Sequence, residues 1–256
     1  MIGWLRSRIR PPAAQQGFPP LPRPSQPICL IGDIHGRLDL LDQIIGLIAA
    51  QPGSETARVV VLGDMIDRGP DSAQVLSHLI GKTRKAPDRW VCLMGNHERM
   101  MLDFLADPGK SRQWLRYGAT ATLHSYGIGI GIDRPLAVAE KLREAMPADH
   151  IDWLNGLPLI WTGEQGLAAV HAAADPARRL NKQKATDLLW GHPDFIHRPR
   201  RDGCWIGHGH VITAQPFTAN GRISVDTGAW RSGILTAAWM DADELRFIQA
   251  KGPPRT

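Results

Sequence analysis

Short apolar runs alternate along this chain with longer stretches whose apolar residues recur at helical spacing. Ile28 to Ile31 is a continuous apolar run that stops at Gly32, and Leu38, Leu41, Ile44, Ile45 and Ile48 come next on one helical face. Val59 to Leu62 stops at Gly63 and precedes Val75, Leu76, Leu79 and Ile80; Val91 to Met94 stops at Gly95 and precedes Met101, Leu102 and Leu105. Three successive units of strand, loop and helix predict an α/β fold. Helical spacing continues through Trp114, Leu115, Leu123, Leu142 and Trp153, with a break at the glycine-rich stretch Gly127 to Gly131. This predicts a helical insertion over about 109–160, lying over one sheet edge. Strand-like runs return at Leu167 to Val170, Cys204 to Ile206, Ile223 to Val225, Ile234 to Trp239 and Leu245 to Ile248. The late runs have hairpin spacing, so the second half is expected to be partly antiparallel.

Composition narrows the class. A chain of 256 residues with 43% hydrophobic and 21% charged residues suits one domain with a full core, or at most two small ones, and excludes fibrous and fully disordered proteins. No apolar run approaches the roughly 20 residues of a membrane-spanning helix. Cys29, Cys92 and Cys204 are far apart with no CxxC spacing, which argues against a disulfide framework or a thiolate metal site and points to a reducing cytoplasm. The formal charge of +5 is concentrated at the start, where Arg6, Arg8, Arg10 and Arg23 face no acid through residue 32. The remainder of the chain is nearly neutral and lacks the basic stripe that nucleic-acid binding favours. Residues 1–26 are rich in proline and read as a flexible, partly polyproline-like tail. Its arginines beside Trp4, Leu5 and Ile9 also allow weak contact with an anionic membrane surface, or a transit-peptide role.

Polar residues close each of the first three apolar runs. The turns read Gly32-Asp33-Ile34-His35-Gly36, Gly63-Asp64-Met65-Ile66-Asp67-Arg68-Gly69 and Gly95-Asn96-His97-Glu98-Arg99. Ligands of open α/β sheets bind outside the carboxyl ends of strands, where all three turns lie. In extended chain, Asp33 and His35 point the same way. One such turn would be ordinary, since Asp and Gly are common turn residues. Three in one chain, with 26 and 25 residues between successive glycine-bounded turns, leave room each time for a helix and a returning strand.

GDIHG, GDMIDRG and GNHE resemble the signature motifs of the PPP-type phosphatases within the calcineurin-like metallophosphoesterases, with the bacterial and phage-type serine/threonine protein phosphatases most similar. The resemblance continues through WLRYGATATLHSYG at Trp114 to Gly127, Leu188-Leu189-Trp190 before Asp194-Phe195, GHGH at Gly207 to His210, and VDTGA at Val225 to Ala229. It implies a four-layer α/β/β/α sandwich with two mixed β-sheets, formed by residues 27–250. It also implies a centre for two divalent metals: Asp33 and His35 on the first, Asp64 bridging, and Asn96, His171 and His210 on the second. The broader GHxH pattern would add His208. Oxygen and imidazole donors without thiolate suit Mn²⁺, the leading expectation, or Fe or Zn²⁺. By the same resemblance, a metal-bridging hydroxide attacks the substrate phosphorus directly, His97 protonates the leaving alkoxide with Asp67 as its partner, and Arg68 clamps the phosphate. Arg99 is a second candidate clamp, with a solvated helix-start role as its alternative.

The expected substrate is a phosphoserine or phosphothreonine protein or peptide. A symmetrical diadenosine tetraphosphate hydrolase shares these motifs and stands as the alternative; an inactive phosphoprotein-binding module is a third reading. Three positions depart from the family pattern. Trp190-Gly191-His192 stands where an arginine is expected, making His192 a replacement phosphate contact. Ala173 replaces a glycine after His171-Ala172, and Val211-Ile212 replaces Thr-Pro after His210. The remaining histidines and the nine tryptophans are expected to be packing or surface residues.

Overall fold

The computed structural model describes residues 17–129, 131 and 133–254. Strands β1 (Ile28–Ile31), β2 (Arg58–Val61) and β3 (Trp90–Cys92) run parallel, and each is followed by its helix: α1 (Leu38–Ala49), α2 (Ser72–Lys85) and α3 (Asn96–Ala106). These are the three units that the hydrophobic pattern predicts. All four residues of β1 are buried, because one face of its sheet meets the helices and the other meets a second sheet. Burial on both faces requires continuous apolar runs instead of alternation.

In the second sheet β4 (Ile160–Thr162) pairs antiparallel with β5 (Leu167–Val170), and β6 (Trp205–His208) and β8 (Arg222–Ser224) continue parallel to β5. β7 (Phe217–Ala219) closes the edge antiparallel to β8. The late hairpin, β9 (Ile234–Met240) and β10 (Leu245–Lys251), does not extend this sheet. It crosses back, and β9 pairs antiparallel with β1, giving a first sheet of order β10-β9-β1-β2-β3. Both sheets are therefore mixed. Leu30, Val60 and Leu62 of one face Trp205, Ile223 and Val225 of the other. The outer face of the first sheet carries the helices, and that of the second is covered by Leu188 of α7 (Ala185–Trp190) and by Phe195. The layers run helix, sheet, sheet, helix, as the resemblance implies.

The insertion is helical, with α4 (Ala119–Ser125), α5 (Pro135–Ala145) and α6 (Ala148–Asn155) separated as the glycines and Pro135 require. It docks on helices: α4 on α2, α5 on α3, and α6 on both. It meets the sheet edge at its end, where Met94 N donates to Pro158 O at 3.0 Å. Among the described residues no helix is long and apolar enough to cross a membrane.

The expected flexible tail needs a correction at its end. Residues 1–16 lie outside the described residues, but 17–26 form a strap on the second sheet. Trp205 is the reason: its indole Nε1 donates to the carbonyls of Pro19 and Pro20 at 3.0 and 3.1 Å, and Phe18 packs edge-on to its ring at 5.5 Å. Phe18 and Leu21 pack against the inter-sheet core, and a side chain at Gly221 would collide with the Phe18 ring. Ser25 Oγ donates to Glu164 at 2.8 Å. The proline-rich stretch has no backbone ladder of its own, so its position depends on this aromatic seat. Phe18→Ala is expected to cost about 1–2 kcal/mol, below the ~3–5 kcal/mol of a fully buried phenylalanine, because the ring is half-buried. A thermal melt with unchanged Tm would show that the strap contributes nothing to stability.

Candidate active site

The three polar turns meet at the carboxyl ends of β1, β2 and β3, facing the loops that leave β5 and β6 in the other sheet. The glycines noted in the sequence make this meeting possible, chiefly by letting backbone approach backbone. Gly63 has φ 94°, and a Cβ there would lie 2.7 Å from Gly95 N. A Cβ at Gly209 would strike the Asp33 carboxylate. Five of the seven non-glycine residues with positive φ among those described are His35, Asp64, Asp67, Arg68 and His210. Left-handed backbone at such residues costs on the order of 1–3 kcal/mol each and persists only where surrounding contacts impose it.

Glu98 supplies many of those contacts. Its buried carboxylate accepts hydrogen bonds from the backbone N–H groups of Gly95, Asp64, Met65 and Ile66, at 2.8 to 3.2 Å. This ties the second turn to the start of α3. Burial first, and Asp64 second, push the Glu98 carboxyl up to about 7.

Asp64 is the common member of two donor groups, His35-Asp64-His97 and Asp64-His171-His210, whose candidate ligand atoms all lie within 4.8 Å of one another in each group. Its Oδ2 is 3.5 Å from His35 Nε2, and its Oδ1 is 3.4 Å from His171 Nε2. His35 Nδ1 lies 2.8 Å from Ile66 O and His171 Nδ1 lies 2.8 Å from Leu62 O. A carbonyl can only accept, so both Nδ1 atoms carry hydrogen and both Nε2 atoms turn inward as free bases. Burial, the largest influence, lowers the pKa of both rings, and takes His210 down to about 3. Asp64 goes the other way: burial works upward, but His171, His97, His35 and His210 together hold its carboxyl well below the ordinary range. Asp33 is raised by burial and then by the nearby carboxylates of Asp226 and Asp64, while His210 N donates to it at 3.1 Å. Neutral imidazoles and crowded carboxylates are the protonation states that divalent cations require, and a cation would relieve the crowding. The donor set fits the metals that the sequence implies. Asn96 Oδ1, 2.8 Å from His171 Nε2, completes the inner group.

Beside these donors stands a histidine paired with a carboxylate. His97 Nδ1 lies 2.7 Å from Asp67 Oδ2. Asp67 also accepts from Trp114 Nε1 at 2.9 Å and Thr122 Oγ1 at 2.6 Å, so three donors on its two oxygens fix the carboxylate in place. Burial pulls the His97 pKa down, but Asp64 and then Asp67 outweigh it, and the net shift is upward. Arg68 reaches across the site, with Nη1 3.0 Å from His35 Nε2 and Nη2 3.1 Å from His97 Nε2.

Three of the sequence expectations are not drawn into this cluster. Arg99 instead pairs with Asp103 at 2.7 Å, one turn along α3, as i,i+4 spacing allows. His192 sits beside Asp175 at 3.8 Å and accepts from Asp194 N at 3.2 Å. His208 packs edge-on against Phe195 at 5.0 Å with Nδ1 3.1 Å from Gly209 O, because the left-handed backbone at His210 (φ 62°) breaks the extended geometry that would send both rings one way. Ala173 buries its methyl beside Val170 and Leu188. Conversely, Trp114, Thr122, Glu98 and Asp226 carry roles that sequence reasoning did not assign. All four stand inside segments that bear the resemblance, which was their only signal.

Glu98→Ala should leave the four N–H groups without their acceptor and lower stability by about 3 kcal/mol or more, since each unpaired buried group costs ~1–3 kcal/mol. An unchanged Tm would refute the anchoring role.

Known proteins resemble this chain in sequence and in fold. The profile of the calcineurin-like phosphoesterase family matches residues 26–221. A serine/threonine-protein phosphatase 1 of Salmonella typhimurium is 30% identical over 222 residues, covering 82% of this chain and 90% of its own. An asymmetrical bis(5'-nucleosyl)-tetraphosphatase of Bacillus subtilis is 29% identical over 231 residues, covering 81% and 88%. The crystal structure of a cold-active protein-tyrosine phosphatase from a psychrophilic Shewanella superposes with a TM-score of 0.60 at 16% identity, over 89% of this chain and 81% of that one. With its layered fold and its buried set of imidazole and carboxylate donors, this chain belongs to the calcineurin-like phosphoesterase family and is a metal-dependent phosphoesterase.

Proposed function

We propose that this protein hydrolyses phosphoserine or phosphothreonine monoesters. The observation that carries this reading is the His97–Asp67 pair, buttressed by Trp114 and Thr122. A serine or threonine alkoxide is a poor leaving group and needs a proton as the ester bond breaks. A phosphoanhydride releases a nucleotide, a much better leaving group, and gains less from such a device.

Asp33, His35 and Asp64 would hold one divalent ion, and Asp64, Asn96, His171 and His210 the other, with Mn²⁺ favoured by the donor set and Fe or Zn²⁺ compatible with it. Two bound ions supply Lewis-acid stabilisation and a water of lowered pKa for in-line displacement. The chain's own residues do the rest. Arg68 gives up His35 Nε2 when that nitrogen serves an ion, freeing one edge of its fork for phosphate oxygens. His97 stays oriented by Asp67 and delivers its Nε2 proton to the departing oxygen. The second reading is hydrolysis of a dinucleoside tetraphosphate, supported by the Bacillus subtilis relative.

Mn²⁺-loaded protein is expected to release phosphate from a phosphothreonine peptide faster than it cleaves diadenosine tetraphosphate; the reverse preference would move the function to nucleotide turnover. Asp64→Asn should lose metal and rate together. His97→Asn should keep metal while kcat falls about 10²–10⁴-fold, with a larger loss on phenyl than on para-nitrophenyl phosphate. Equal losses on both esters would remove His97 as the general acid.

A further inference from the structure

Trp230 stands apart from the other tryptophans. It lies on the short helix α8 (Ala229–Ser232), directly after the VDTGA segment, and is half-buried. The Arg68 guanidinium carbon lies 5.0 Å from the centroid of its ring. A second guanidinium, that of exposed Arg231, lies 5.9 Å from the same ring. Neither arginine forms an ion pair with a carboxylate among the described residues. Two cations share one indole at the edge of the metal-binding cluster, an arrangement that an arriving anion would stabilise.

The contacts of Arg68 show why the ring matters. Its other side-chain partners are the Nε2 atoms of His35 and His97. Both are given up in a working site: His35 Nε2 serves an ion, and a protonated His97 Nε2 is a donor that repels an N–H. The backbone at Arg68 is itself left-handed, with φ 71°, and Gly118 packs against the side-chain stem. Once the imidazoles are engaged, the Trp230 ring is the remaining side-chain contact described for the guanidinium head. A π face holds a guanidinium without using any of its N–H groups, so the full donor fork stays available for oxygens.

We propose that Trp230 is the positioning residue of Arg68, keeping the phosphate clamp in place through cation–π stacking when the ions and substrate are bound. This rests on the reading of Arg68 as the clamp. It also gives one tryptophan, otherwise expected to be a packing residue, a part in phosphate affinity through Arg68.

The test uses full-length, Mn²⁺-loaded protein with inorganic phosphate as a competitive inhibitor of para-nitrophenyl phosphate hydrolysis. Trp230→Leu keeps an apolar side chain and removes the π face; Trp230→Phe keeps a ring. Trp230→Leu should raise the phosphate Ki and the KM about 2- to 30-fold, the span of cation–π contacts from exposed to desolvated sites. Its kcat should change less, and metal content should stay the same. Trp230→Phe should restore most of the affinity, and Trp230→Leu added to Arg68→Ala should weaken phosphate binding no further than Arg68→Ala alone. If Arg68→Ala raises the Ki while Trp230→Leu does not, or if Phe and Leu are equally damaging, the positioning role is overturned and the clamp stands. If Arg68→Ala leaves the phosphate Ki unchanged, the clamp reading itself falls, and the proposal with it.

Discussion

The whole site depends on the Glu98 carboxylate, buried with no ion pair among the described residues and surrounded by four backbone N–H donors. Those bonds fasten the turn after β2 to the beginning of α3, and the turn after β1 is fastened to the same place in its turn, since Ile34 N and His35 N both donate to Asp64 O at 3.1 and 2.9 Å. Three strand ends become one rigid surface. The left-handed backbone of His35, Asp64, Asp67 and Arg68 is sustained because each turn is hydrogen-bonded to a neighbour that cannot move independently.

On that surface His35 and His171 are set by backbone carbonyls, and the His97–Asp67 pair is set by side chains. Ile66 O and Leu62 O fix the tautomers of His35 and His171, leaving their inward nitrogens as bases. Asp67, held by Trp114 and Thr122, takes the same Nδ1 of His97 with a carboxylate in place of a carbonyl, and the ring is biased toward protonation. The same residue type is thus held neutral or biased toward its charged form according to what touches Nδ1. The helical insertion has a chemical part as well as a packing one: Trp114, in a short 3₁₀ turn, and Thr122 of α4 hold the Asp67 carboxylate, and Arg68 N donates to Gly118 O at 3.2 Å.

The fold by itself does not set the substrate. Similar proteins bear names for three kinds of phosphate ester or anhydride. Around Arg68 this chain places Trp230 and Arg231 on α8, while His192 stands beside Asp175 outside the cluster and the strap of residues 17–26 lies against Trp205.

Periodicity and the three glycine-bounded turns were enough to read the α/β class, the early strand-helix order and most of the buried donors. Those features are local: an apolar run ending in Gly-Asp places its side chains at a strand end whatever else the chain does. The final hairpin was legible as a hairpin, but its return to β1 was not, because the partner of a hairpin strand is decided by which sheet buries its apolar faces. The same limit applies to the strap, whose prolines read as tail until Trp205 offers a seat 186 residues away in sequence. It also applies to His208, which shares a motif with His210 but turns from it through one left-handed residue, and to Arg99, drawn off by Asp103. Sequence determined which residues could do the chemistry. Only the tertiary structure decided which of them meet, because orientation is set by hydrogen bonds and stacking between segments far apart in the chain.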